Sequence, residues 1–96
     1  MINRSIGLLE VVGFATATAC IDKMVKSAYV EVRSTERVGS GMITIIISGD
    51  LASVKEALEM GADVANNMGE LVAIRTIARP YEGLGRLLAP EEKGGK

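Results

Sequence analysis

Few side chains in this sequence are equipped for chemistry, and those that are lie far apart. The 96 residues include no histidine and a single cysteine, Cys20. One thiol makes neither an internal disulfide nor a cysteine-based zinc site, and with no basic neighbour in view Cys20 reads as a small buried hydrophobe. No nucleophile stands beside a recognisable base, so the constellations of an enzyme active site are missing. The sequence therefore offers no catalytic residue and no metal set, and no cofactor is expected. What remains are polar groups suited to contact. Gly39-Ser40-Gly41 sets a hydroxyl between two residues free to adopt positive φ, which on spacing alone is a tight strand-to-strand turn. Lys26 falls near the end of a helical stretch, where a cation is favourable with the helix dipole or is simply solvated. Arg79, just before Pro80, is suited to capping a strand end. Asp50 has the position of a helix cap more than that of a carboxylate catalyst.

The elements that must hold these groups follow from periodicity. Ser5 to Val12 is a short apolar run ending at Gly13, and predicts a first strand. Over about Phe14 to Ser27 the period changes: Ala17, Ile21, Met24, Val25 and Ala28 fall on one helical face. Tyr29 to Val38 places Val30 and Val32 in alternation with Glu31 and Arg33, as a strand with one wet face does. After the Gly39-Ser40-Gly41 hairpin, Met42 to Ser48 carries Ile43, Thr44, Ile45, Ile46 and Ile47, a run that predicts an interior strand covered on both faces. Asp50 then opens a second helix with Leu51, Val54, Leu58, Gly61, Ala62 and Ala65 along one stripe, closed by Asn66 to Gly69. Leu71 to Ala78 is a fourth strand, and Tyr81 to Leu88 a short C-terminal helix. The order β-α-β-β-α-β predicts an α+β fold of the ferredoxin-like split type, a four-stranded antiparallel sheet with two main helices. The pattern predicts one domain over residues 1–88 and a mobile tail over 89–96.

Composition narrows the function. The chain is 48% hydrophobic but only 3% aromatic, so its apolar mass is aliphatic and offers no stacking site. Eleven basic and twelve acidic residues leave a net charge of −1, with no stretch that concentrates the positive ones, which argues against nucleic acid as a partner. Near-neutral charge lowers repulsion between copies. A chain of this size buries only roughly 60–65% of its unfolded surface, so association adds stability. Met1 to Ser5 lacks the apolar core of a signal peptide and no run is long enough to span a membrane, giving the expectation of a cytosolic protein without a membrane partner.

Four segments together resemble the short shell proteins that form hexagonal tiles in bacterial microcompartments: Ile6-Gly7-Leu8-Leu9-Glu10-Val11, Asp22 to Ala28, Arg37-Val38-Gly39-Ser40-Gly41, and Ala73 to Pro80. No single segment is specific; their order and separation are, and the likeness runs from about Ser5 to Leu88. The resemblance is to the single-domain, hexamer-forming type of the propanediol-utilisation, ethanolamine-utilisation and carboxysome shells. It implies a non-enzymatic structural protein of a microcompartment shell in the cytoplasm, built as a homohexamer with an axial pore for small polar metabolites. Its partners would be identical or related shell hexamers, pentamer vertex proteins and encapsulated enzymes. Carried over by motif, Gly39, Ser40 and Gly41 line the pore, while Lys26 and Arg79 meet the next tile. Two positions depart from the pattern: Tyr29, where relatives often carry a small polar residue, and Tyr81, where histidine is frequent. The order of elements also permits an oligomeric ferredoxin-like regulatory domain that binds a small metabolite between subunits.

Overall fold

The structure, a computed structural model, describes residues 4–78. Arg79, Tyr81, the short helix expected over 81–88 and the tail 89–96 lie outside the described residues. Along the chain run β1 (Ser5–Val12), α1 (Phe14–Ser27), β2 (Glu31–Gly39), β3 (Met42–Gly49), α2 (Leu51–Met68) and β4 (Glu70–Ile77). The strands form one sheet in the order β2-β3-β1-β4, every neighbouring pair antiparallel. This is the split β-α-β-β-α-β arrangement that periodicity predicts. The described body is a thin slab, 39 × 28 × 15 Å.

Alternation along β1 sets the layers. Ser5, Gly7, Leu9 and Val11 are buried against the helices, while Ile6, Leu8, Glu10 and Val12 are half-buried on the opposite face. Leu9 and Val11, with Ile43, Ile45 and Ile47 of β3 and Met24, Val54 and Leu58 of the helices, make a single aliphatic core. Burying each of the larger side chains contributes about 1.5–3 kcal/mol.

The structure qualifies two expectations. First, β3 is largely buried on both faces as its composition predicts, Thr44 and Ser48 included, although no helix among the described residues covers the second. Lateral polar contacts help enclose them: Thr44 Oγ1 donates to Glu10 Oε2 at 2.9 Å, and Arg4 donates to Ser48 Oγ at 3.2 Å. The β-branched run therefore marks the inner position of β3 in a sheet whose second face carries no helix among the described residues. Second, α1 turns Thr16, Ala17, Cys20 and Met24 inward, leaving Val25 43% exposed. The contact with α2 centres the buried stripe on Ala17, Cys20 and Met24, and Val25 lies one residue, about 100°, further round. Cys20 is fully buried, its thiol donating to the Gly61 carbonyl at 3.3 Å, and burial pushes its pKa up. Both edge strands carry irregularities: the register slips twice along β2 and once where β4 meets β1. Such bulges twist an edge away from further pairing.

Asp50 caps α2 as its position predicts: its carboxylate accepts from Ser53 N–H at 2.9 Å and from Ser53 Oγ at 3.0 Å. These hydrogen bonds to Ser53, backbone first, hold its pKa below the ordinary 3.8. A depressed carboxylate stabilises the fold fully above its unfolded value, and that contribution is lost as pH falls through the folded value. Asp50→Asn keeps the acceptor without the charge. Its unfolding midpoint is expected to lie below that of the parent at pH 7 and to converge on it in acid, as a urea titration at several pH values would reveal; parallel curves at all pH would remove the charge from the cap.

Candidate functional site

The hairpin joining β2 and β3 is built for a tight reversal. Gly39 pairs with Met42, leaving Ser40 and Gly41 as a two-residue loop. Their φ values are 55° and 78°, preceded by 98° at Gly39. Positive φ at both central residues belongs to the type I′ turn, whose twist suits an antiparallel pair. Gly41 takes this conformation freely, but Ser40 pays roughly 1 kcal/mol for its Cβ. Ser40 is the only non-glycine residue with positive φ among those described. Asparagine or glycine would fit that position more comfortably, so its hydroxyl at the exposed tip is a feature to be explained by function. The tip is anchored as well: the Gly13 N–H donates to the Gly41 carbonyl at 2.9 Å, tying the hairpin to the turn that starts α1.

Lys26 occupies the other end of the same helix. Twelve residues of α1 separate it from Phe14, a rise of about 18 Å, so α1 works as a strut between hairpin and lysine. Lys26 Nζ sits 3.3 Å from Asp22 Oδ1, four residues back, with most of its side chain in solvent. Around it Val25, Ser27, Ala28 and Tyr29 border a shallow hollow of about 230 Å³. Tyr29 is 93% exposed, and lies in the link before β2, which starts two residues later than its alternation suggests. The structure thus keeps Gly39, Ser40 and Gly41 together and Lys26 apart from them; Arg79 lies outside the described residues.

Two groupings were not evident from the sequence. Glu10 and Thr44 meet across β1 and β3 on the face of the sheet opposite α1 and α2, 34 residues apart in the chain. Phe14 and Arg37 meet beside the hairpin, the guanidinium carbon 5.7 Å from the ring centroid. An aromatic side chain directly after Gly13, in a sequence with one phenylalanine, is the only hint of the second. Among the described residues there is no group of three or more His, Cys, Asp or Glu that could hold a metal ion. No described helix is long and apolar enough to cross a membrane.

Comparison with known proteins gives a consistent result. The family model described as BMC domain matches residues 5–80. The bacterial microcompartment shell protein PduA of Citrobacter freundii is 39% identical over 88 residues, which is 92% of this chain and 95% of that protein. The carboxysome shell protein CcmK2 of a Synechocystis strain is 37% identical over 86 residues, covering 88% of this chain and 84% of its own. Among solved structures, a microcompartment protein from Desulfitobacterium hafniense superposes with a TM-score of 0.76 at 24% identity. That match covers 90% of this chain and 47% of the other, so this chain spans about half the length of that protein, and the likeness speaks for the fold.

Proposed function

The chain belongs to the BMC domain family, and from that premise we propose that it is a structural shell protein of a bacterial microcompartment. Six copies close into a ring around the hairpins, and the rings tile edge to edge into the shell layer. Gly39, Ser40 and Gly41 line the axial pore, and Lys26 with Arg79 makes the contacts between rings. The protein does no catalysis; it divides space and lets small polar solutes through.

The observation that carries this reading is the separation built into the slab. A tight, anchored hairpin with a strained serine at its tip occupies one end of α1, and an exposed lysine the other. A tile needs that division between hub and rim. Six hydroxyls around an axis would donate and accept hydrogen bonds without a formal charge to trap an ion. At the rim, a lysine stem can lie along a neighbouring surface and an arginine fork can bond facing carbonyls. Each such contact is weak, and repetition along every edge makes the array.

The test is the mass of the untagged protein by light scattering, with negative-stain electron microscopy of the same sample. Hexamers that grow into sheets or tubes are expected. A monodisperse dimer or trimer that never tiles would overturn the proposal and favour a regulatory domain with a metabolite between its subunits.

A further inference from the structure

Beside the hairpin, where the first turn of α1 passes β2 and β3, lies a cleft of about 350 Å³. It is at the lower end of the range for small-molecule sites, roughly 300–1,000 Å³. Phe14 and Arg37 line it together, the guanidinium over the ring at 5.7 Å from its centroid, and Ile43 and Met42 are among the other lining residues. Gly39 and Gly41 belong to its lining, and the space beside them is open: a Cβ at Gly39 would meet nothing within 4 Å, and one at Gly41 only a methyl of Val12 at 3.8 Å.

The chemistry of the lining is lopsided. Phe14, Met42 and Ile43 are apolar, and Arg37 supplies the only formal charge in the lining. None of the ion pairs among the described residues involves it. Its neighbour Glu36 pairs in register with Thr44, on the opposite face of the sheet from Ile43, the register partner of Arg37. A guanidinium held near an aromatic ring keeps its N–H edges available for a carboxylate or phosphate, which it bonds in a planar fork. Among the described residues that fork has no acidic partner, and it sits beside the ring of Phe14.

We propose that this cleft binds a small organic anion, with a carboxylate or phosphate head on Arg37 and a short apolar tail against Phe14 and the edge of Ile43. A single chain supplies the whole site. Only its placement at the pore mouth rests on the hexamer reading, under which six clefts would collect such anions around the axis.

The probe is sodium butyrate, added to the full-length protein while the methyl signals of Met42 and Ile43 are followed by NMR, with n-butanol as the uncharged control. Butyrate is expected to give saturable shifts, with butanol at least tenfold weaker. Arg37→Gln should weaken butyrate by about tenfold or more, since the loss of one charge-assisted hydrogen bond is of that order, while leaving the response to butanol unchanged. Phe14→Leu should keep the preference for the anion at lower affinity, and serves in place of Arg37→Gln should that variant not fold. No saturable shift, equal response to butyrate and butanol, or butyrate binding indifferent to Arg37→Gln would each overturn the site. Light scattering on the same sample separates this outcome from the ring: a protein that binds butyrate without forming hexamers sinks the ring alone, and a hexamer that ignores butyrate sinks the cleft alone.

Discussion

Gly7→Val is expected to destabilise the domain by about 2–3 kcal/mol, the upper part of the range for overpacking a filled core. Gly7 is buried in the middle of the sheet, on the face of β1 that carries α2. A Cβ placed there would lie 2.7 Å from a methyl of Val54, 3.0 Å from Ile47 and 3.2 Å from Leu58. Val54 and Ile47 are fully buried and β-branched, so neither has an easy rotamer to retreat to. Intrinsic preference points the other way, because glycine weakens a strand interior and valine favours it. The sign of the change therefore shows which effect wins. Urea unfolding at one fixed protein concentration measures it, since association shifts the apparent stability. A midpoint equal to or above that of the parent would mean that α2 does not press on β1 at this point.

Under the proposed tile, Lys26→Ala is expected to leave the hexamer intact while weakening sheets. Inside the protomer the side chain does little: its pairing with Asp22 is exposed, and such helix pairs contribute about 0.3–0.5 kcal/mol. The unfolding midpoint should barely move. Between rings the loss repeats along every edge, so a deficit of about 1 kcal/mol per contact, the usual scale of a hydrogen bond, compounds across a lattice. Light scattering should return the parent mass, and electron microscopy should show dispersed particles where the parent shows sheets. Disassembled rings would move Lys26 from the rim to the contacts between subunits.

Much of this architecture was legible in the order of the residues, because the relevant signals are local. The apolar run closed by Gly13 gives β1, the change to helical spacing gives α1, and Asp50 with its acceptor three residues before Ser53 gives the start of α2. Where the reading fell short, tertiary contact had the last word. The isoleucines of β3 signal an inner strand, yet periodicity does not distinguish a covered second face from one sheltered by neighbouring strands. Helical spacing alone puts Val25 on the α1 stripe, whereas the placement of α2 turns it outward. Roles were harder still to read. Gly39-Ser40-Gly41 announces a turn from its spacing, and Lys26 a charge at a helix end; the hub and rim roles proposed for them come from resemblance to shell proteins. The meeting of Phe14 with Arg37 depends on the register between β2 and β3, bulges included, and no pattern along the chain encodes it.

The slab has helices on one face and, among the described residues, bare strands on the other, where Glu10, Thr44, Arg4 and Ser48 make their polar contacts. A wall laid with every copy the same way up inherits that difference, and a solute crossing it leaves one landscape and arrives in another. Approach from the two sides is then unequal in which molecules are gathered and how they are oriented. The wall cannot pump, since without an energy source the rates in both directions must balance at equal concentration. Asymmetry of this kind governs which solutes reach the opening, and leaves net direction to whatever consumes them beyond it.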